Sequence, residues 1–176
     1  MSLISSTLLE VSRLKQLLIV YHTRTGGTRQ MAQAAASGAS RASALEVRLE
    51  SAFDCGPGAL LAASGYVFAC PENLAAMSGL MKDFFDRCYY PVLEQLQGRP
   101  YAMLICAGSD GSNAARQIER IATGWRLRQI APPLIVCTGA QTPEEILKPK
   151  VIAASDLARC EELGATLAAG LDLGVF

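Results

Sequence analysis

The sequence predicts an α/β protein with a five-stranded parallel sheet and helices on both faces. Five short apolar runs recur along the chain, separated by segments long enough for helices. This alternation is typical of an open, doubly wound sheet with right-handed crossovers. The second and fifth runs have the character of edge strands, which favours the strand order 2-1-3-4-5.

The composition of each run places it in the sheet. The second run (45–50) alternates strictly between apolar and charged residues, as a half-exposed edge strand does. The fifth run (132–138) opens with two prolines, which are tolerated at strand starts and edges. The other three runs are nearly continuous in apolar residues, as expected for strands covered on both faces: 16–21, 65–70 and 101–107.

The segments between the runs predict helices. The alanine-rich stretch 28–39 predicts a helix that can lie close on the sheet, and apolar residues at helical spacing predict another over 78–95. Two more helices are predicted at 112–127 and at about 151–169. The stretch "TPEE" at 142–145 has the form of a helix start, with threonine as N-cap and glutamate completing a capping box. Trp125 falls late in the 112–127 helix, where we expect it to serve packing or a subunit surface.

The length, charge and hydropathy of the chain limit the classes of protein to which it can belong. A chain of 176 residues predicts a single domain spanning 1–176, with an N-terminal extension at about 1–15. Its formal net charge is zero and 18% of its residues are charged, which argues against a nucleic-acid-binding protein. The start lacks the pattern of a secretory signal and no run is long enough to insert in a membrane, so we expect a cytoplasmic location.

The six cysteines show no C-x-x-C pairing, and four lie in apolar or helical surroundings. They indicate small buried hydrophobic residues in a reducing compartment, and a disulfide framework is not expected. With only one histidine and scattered cysteines, a zinc site is not expected either.

The first loop at the carboxyl ends of the strands is rich in hydroxyls and glycines. It consists of Thr23, Arg24, Thr25, Gly26, Gly27 and Thr28, directly between the first run and the first helix. Glycines let the backbone approach a ligand, and the free amides and dipole of a helix start favour an anion. A turn with a threonine N-cap is the simpler interpretation, but three threonines and an arginine in six residues favour phosphate binding. The loop lacks both the G-x-G-x-x-G and the P-loop patterns.

"IVYHTRTGGTRQMA" resembles the FMN-phosphate signature of the flavodoxin family, T/S-x-T-G-x-T with an alanine four residues later. Thr23, Thr25, Gly26, Thr28 and Ala32 fall on that pattern. The resemblance extends over nearly all of residues 16–170 and implies a flavodoxin-like three-layer sandwich that binds FMN.

The second loop, "CPENLAAMSGLMKDFFDR" at 70–87, is similar to a stretch of flavodoxin-like NAD(P)H-dependent FMN or quinone reductases. That resemblance implies that a proline-led loop lines the isoalloxazine ring with Pro71, Glu72, Asn73 and Leu74. It also matches Ser78, Gly79, Lys82 and Asp86 to the start of the next helix. The alternative is a loop with Ser78 as N-cap and Lys82–Asp86 as a surface i,i+4 pair.

The third loop belongs to the stretch "CAGSDGSNAARQ", where two glycines frame a turn that presents amides to the same crevice. In the family this loop meets the pyrimidine end of the flavin or its ribityl chain, which implicates Ala107, Gly108, Ser109, Asp110 and Gly111. The Asp110 carboxylate could accept a hydrogen bond from a ring N–H or cap the next helix, and both remain open.

The departures from the family pattern favour one activity. Neither 71–78 nor 107–113 holds an aromatic residue and the chain is neutral, whereas electron-carrying flavodoxins usually stack aromatic rings on the flavin and are acidic. The resemblance therefore implies an oxidoreductase that passes a hydride from NADH or NADPH through FMN to a quinone or similar small-molecule electron acceptor. No catalytic side chain is obligatory, because the cofactor does the chemistry, and His22 is not expected to be a proton donor.

Two other functions remain open: a non-enzymatic electron carrier, and a degenerate relative whose loops bind another phosphate ligand or none. The reductase resemblance also implies a homodimer or homotetramer.

Overall fold

The computed structural model describes residues 15–176. Most of the predicted N-terminal extension, residues 1–14, lies outside the described residues. None of the helices in residues 15–176 is long and apolar enough to cross a lipid bilayer. The elements in chain order are β1 (Gln16–Tyr21), α1 (Gly27–Ala42), β2 (Glu46–Ser51), α2 (Pro57–Ala62), β3 (Gly65–Asn73), β4 (Ala76–Met77), α3 (Gly79–Cys88), β5 (Pro100–Ala107), α4 (Ser112–Gly124), β6 (Arg128–Gln129), β7 (Leu134–Cys137), α5 (Pro143–Leu147) and α6 (Ala154–Leu173).

The main sheet is parallel and has the predicted strand order. Its strands run β2-β1-β3-β5, and both β6 and β7 pair with the outer side of β5. The five predicted runs therefore follow the order 2-1-3-4-5, as expected. The fifth position is divided into two short strands, because Pro132 and Pro133 have no N–H group to donate to the ladder. The short β4 pairs antiparallel with the end of β3.

Burial follows the sequence pattern of each strand. Every residue of β5 is buried, and so are the first five residues of β1. By contrast, β2 has no buried residue, as its alternation of apolar and charged residues predicted. The edge position of β2 is thus explained by its own sequence.

The two faces of the sheet carry different cores. One face packs aromatic side chains against α3 and α4, with Phe68 at the centre of the cluster. Trp125 belongs to this cluster: its side chain is 1% exposed, and its indole N–H donates to the Tyr89 carbonyl at 3.1 Å. Trp125 therefore serves internal packing, the first of its two expected roles. The opposite face is aliphatic and is covered by α1 and α6.

Two predicted helices end earlier than expected. The prediction of a helix over 78–95 is wrong in its second half, since α3 ends at Cys88 and turns follow. Pro91 explains this, because proline cannot donate in the helix and disfavours helical geometry at the residue before it. The helix predicted over 112–127 ends at Gly124, and Arg126 then adopts a positive φ of 56°. The helix α2 had not been predicted.

Helices α1 and α6 touch through two glycines. A Cβ on Gly38 of α1 would lie 2.0 Å from the carbonyl oxygen of Glu161, and a Cβ on Gly164 of α6 would lie 2.0 Å from that of Ala35. Each glycine thus faces the backbone of the other helix, which permits an approach that no side chain would allow. This contact fixes α1, whose first turn lies at the crevice described below.

The cysteines largely behave as predicted. All six are free, and five are buried: Cys55, Cys70, Cys88, Cys106 and Cys160. Burial raises the pKa of the Cys70 and Cys160 thiols to about 12. These thiols therefore stay protonated near neutral pH and pack as small apolar groups.

Candidate functional site

A crevice lies at the carboxyl ends of β1, β3 and β5. Its volume is about 480 Å³, within the roughly 300–1,000 Å³ range of small-molecule sites. In an open α/β sheet this edge is where ligands bind, at the point where the strand order reverses. Eleven of the fifteen predicted cofactor-binding residues line it: Thr23, Arg24, Thr25, Thr28, Pro71, Glu72, Asn73, Leu74, Ala107, Gly108 and Ser109. The other four are not among the lining residues: Gly26, Gly27, Asp110 and Gly111.

The first wall is the turn between β1 and α1. The Thr23 hydroxyl accepts a hydrogen bond from the Gly26 N–H at 3.0 Å, which closes the turn. Gly26 is the N-cap residue with a φ of 87°, a conformation that favours glycine. At Gly27 a Cβ would lie 2.8 Å from the Cys106 sulfur, so only glycine allows α1 to start this close to β5.

Thr28 has a buried hydroxyl that faces this corner. The residue is 1% exposed, and its Oγ1 lacks a hydrogen-bond partner apart from the adjacent Cys106 thiol, a weak hydrogen-bonding group. A buried hydroxyl without a good partner is unfavourable, and Thr28 is one of the residues that line the crevice. The simpler interpretation, a threonine N-cap, does not hold because the N-cap is Gly26.

The second wall is a hairpin, where the sequence indicated only a loop. β3 extends to Asn73 and pairs with β4, and the two residues between the strands are Leu74 and Ala75. Both have positive φ, 51° and 58°, a geometry that normally calls for Asn-Gly. Leu74 is also fully exposed. A strained turn with an exposed apolar side chain at a crevice is typical of a ligand-binding segment.

Side chains fix the hairpin to α4. The Glu72 carboxylate accepts from the backbone N–H groups of Gly111 at 2.9 Å and Ala114 at 3.1 Å. The Gln117 side chain accepts from the Met77 N–H at 2.8 Å. Glu72 thus lines the crevice, but its carboxylate already serves as the anion at the start of α4.

The third wall contains the 107–111 turn. Gly108 lies close to the backbone that follows β7: its carbonyl accepts from the Gly139 N–H at 2.8 Å, and a Cβ at Gly108 would lie 2.9 Å from the Ala140 oxygen. The exposed Asp110 carboxylate accepts from the N–H and hydroxyl of Ser112. These bonds lie within the turn, but the N-cap residue of α4 is Gly111 and no side chain caps it, so the alternative of Asp110 as a helix cap is wrong. Any contact with a flavin N–H stays a prediction.

The sequence did not reveal a fourth wall. The connection from β7 to α6, residues 138–152, lines one side of the crevice, and we call it the strap. It contributes five lining residues: Thr138, Ala140, Ile146, Leu147 and Lys150. The capping box predicted at the start of α5 is present, with the Thr142 hydroxyl accepting from the Glu145 N–H at 3.2 Å. A capping motif locates a helix start, but it carries no information about which distant loop the helix will face.

His22 connects two walls from behind. Its Nδ1 lies 2.8 Å from the hydroxyl of the fully buried Ser78, which occupies the N-cap position of α3. Burial, with a smaller effect from the Arg24 charge, lowers the pKa of His22 below 6.5, so the ring is neutral at pH 7. Lys82 and Asp86 form an exposed i,i+4 ion pair at 2.6 Å. This agrees with the alternative interpretation of the sequence, in which they are a surface pair.

Charges in the crevice favour an anion. Arg24 and Lys150 line it, and Glu72 is the one carboxylate among the described lining residues. The described lining therefore carries two cationic side chains and one carboxylate, and the carboxylate is already hydrogen-bonded to the start of α4. Burial raises the pKa of the Cys106 thiol in this corner, and the nearby Lys150 charge opposes the rise.

Comparisons with known proteins agree with this geometry. Residues 58–141 match the family of NADPH-dependent FMN reductases. A flavodoxin solved from the domain Archaea superposes with a TM-score of 0.71 at 22% identity, covering 89% of this chain and 98% of that one. A WrbA-like flavodoxin from Agrobacterium tumefaciens gives 0.71 at 19% identity, covering 89% and 97%. The chain has the flavodoxin-like fold.

A curated relative matches this flavodoxin-like chain over a shorter stretch. A flavodoxin of Aquifex aeolicus (strain VF5) is 36% identical over 94 residues, which is 53% of this chain and 49% of that protein. The chain thus spans about half the length of the curated relative that it matches. The turn at 23–28 lies outside the residues that match the reductase family.

Proposed function

We propose that this protein binds FMN and is an oxidoreductase that passes a hydride from NADH or NADPH through the flavin to a quinone or similar small acceptor. One observation carries the proposal. Two helices start at the crevice behind glycines of nearly identical conformation, Gly26 with φ 87° and ψ −13°, and Gly111 with φ 87° and ψ −11°.

These two helix starts differ in what they bind. The start of α4 takes an internal anion, the Glu72 carboxylate. No carboxylate of a described residue bonds to the start of α1, where the first N–H groups lack intrahelical acceptors and the Thr28 hydroxyl lacks a good partner. The start of α4 thus holds a carboxylate. The start of α1 has the same backbone geometry without such a carboxylate, and we infer that it takes an external anion such as a phosphate.

The residues present fit FMN. The turn from Thr23 to Thr28 would hold the phosphate, and the hairpin tip with Ala107–Ser109 would flank the ring system. The flavin, when bound, supplies the hydride-accepting and hydride-donating chemistry. The chain's contribution is to bind, orient and leave access: no described lining residue is aromatic, so no side chain is placed to stack over the ring and exclude a second reactant.

A one-electron carrier is the second candidate. The 36% identity to a protein named flavodoxin favours it. The zero net charge and the absence of aromatic residues from the described lining favour the reductase, since a carrier that docks on a protein partner gains from a charged face. A small-molecule acceptor is accordingly part of our proposal.

Flavin titration is the first test. Protein freed of flavin should quench FMN fluorescence on titration. Thr25→Asp should weaken binding by about a hundredfold or more, because a carboxylate beside the phosphate repels it by several kcal/mol. Thr142→Asp is the matched control at the exposed start of α5, and it should bind as wild type does. If wild-type protein leaves FMN fluorescence unchanged, the proposal is lost.

Steady-state kinetics then separate the two candidates. FMN-loaded protein should oxidise NADH or NADPH when a benzoquinone is present. A protein that binds FMN yet oxidises neither nicotinamide would be assigned to the carrier class.

A further inference from the structure

The strap is hydrogen-bonded to the phosphate turn through one side chain. Gln30, on the first turns of α1, donates from Nε2 to the Gly26 carbonyl at 3.1 Å and to the Lys150 carbonyl at 2.7 Å. Its Oε1 accepts from the Ile152 N–H at 3.1 Å. The Lys150 N–H also donates to the Thr25 carbonyl at 2.8 Å. The Gln30 amide thus joins the start of α1 to residues 120 and 122 positions later in the chain.

These bonds place a charge at the phosphate corner. Lys150 lines the crevice together with Thr25 and Thr28, and its Cβ lies 3.2 Å from where a Cβ on Gly27 would stand. Its ammonium donates to backbone carbonyls at the end of α5, those of Ile146 at 3.0 Å and Lys148 at 2.8 Å among them. Carbonyl groups orient this ammonium but leave its formal charge in place.

The neighbouring lysine differs in this respect. Lys148 forms an ion pair with Glu144 at 2.9 Å and does not line the crevice. Lys150 forms no ion pair with a carboxylate in the described part of the chain. Its field reaches the Cys106 thiol beneath Thr28, where it opposes the effect of burial on the thiol pKa. Of the two lysines, only Lys150 lines the crevice, and no carboxylate in the described part of the chain lies within ion-pair distance of its ammonium.

We propose that Lys150 is a binding residue of the phosphate site and that Gln30 positions it there, so that the strap makes the site prefer phosphorylated flavin. This inference rests on the proposed FMN function. Lys150 acts through its charge, oriented by the α5 carbonyls, and Gln30 holds the strap and the phosphate turn at a fixed separation. The preference therefore depends on a residue 122 positions after Thr28 in the chain.

FMN and riboflavin differ only in the phosphate, so the ratio of their dissociation constants isolates this effect. Fluorescence-quenching titrations would measure both constants for wild type, Lys150→Met, Lys150→Arg, Gln30→Met and the control Lys148→Met. We expect Lys150→Met to weaken FMN binding about tenfold while riboflavin binding changes less than about twofold, as for loss of one charge contact. Lys150→Arg should retain most of the preference, and Lys148→Met should retain all of it. Gln30→Met should reduce the preference in the same direction as Lys150→Met.

The alternative results are distinct. An unchanged ratio of the two dissociation constants in Lys150→Met would overturn the inference. If both affinities fall equally, Lys150 has a purely structural role; if neither falls, it has no role in binding. If circular dichroism shows that Lys150→Met is unfolded, the other two variants are compared. Lys150→Arg should then keep most of the preference for FMN, and loss of it would contradict a role of the charge. An unaltered ratio in Gln30→Met would overturn the proposed coupling. Wild-type protein that binds neither flavin would refute the proposed function itself, before any variant is compared.

Discussion

The contact between α1 and α6 gives a quantitative prediction for Gly164→Ala. The new Cβ would lie 2.0 Å from the Ala35 carbonyl oxygen, whereas real Cβ atoms essentially never come within 3.0 Å of such an atom. The atom in the way is backbone and cannot rotate aside, so the two helices must separate by about 1 Å, the difference between these distances.

The expected loss of stability follows from two opposing effects. Overpacking of this kind costs about 3 kcal/mol, and alanine regains about 1 kcal/mol over glycine within a helix. The net loss of about 2 kcal/mol should lower Tm by about 4–8 °C in a chain of this size. Because α1 carries the phosphate turn, FMN affinity should fall as well.

Thermal and urea unfolding followed by circular dichroism would measure this loss. Gly58→Ala in α2 is the control, since nothing lies within 4 Å of its added Cβ, and it should be neutral or stabilising by up to about 1 kcal/mol. If Gly164→Ala melts at or above the wild-type temperature, the close packing described for α1 and α6 is refuted.

Three further predictions concern single residues of the site. Thr28→Val should stabilise the flavin-free protein by about 1 kcal/mol, because it removes a poorly bonded buried hydroxyl. It should also weaken FMN binding. Urea unfolding measures the stability and fluorescence titration the binding, and a less stable variant would contradict the predicted stabilisation. Ala75→Gly should raise the free energy of unfolding by about 1 kcal/mol, since glycine tolerates the φ of 58°; a decrease in urea unfolding would argue against strain there. The pKa of His22 in the folded state is lowered from its ordinary value of 6.5, so the unfolded state takes up the proton first as the pH falls. The free energy of unfolding should therefore decline below about pH 6.5 until the folded-state pKa is reached. His22→Gln should flatten this decline. Urea midpoints at several pH values check it, and an equal slope in both proteins would exclude His22 as its source.

The sequence predicted the sheet well because each strand carries its own signal. Continuous apolar runs identified the central strands, and strict alternation at 45–50 identified the edge strand β2. These are local patterns imposed by the burial of one or two faces. The turn at 23–28 was also predictable, since it needs glycines and hydroxyls within six consecutive residues.

Other features left no local signal. The hairpin tip at Leu74 and Ala75 uses residues that its geometry disfavours, so turn preferences argued against it. Conflicts of this kind are expected where a segment serves binding more than folding. Helix α2 has six residues, too few for a helical period to stand out. The strap's place at the crevice depends on contacts between residues such as Gln30 and Lys150, far apart in sequence.

The packing of α6 on α1 also sets an order in time during protein synthesis. The phosphate turn and α1 leave the ribosome early, but α6, which follows every strand of the sheet, emerges more than 100 residues later. Until then α1 lacks the helix against which its Gly38 packs. We therefore expect stable flavin capture to follow translation of α6, so that loading of the cofactor reports on a chain in which α6 has been made and packed on α1.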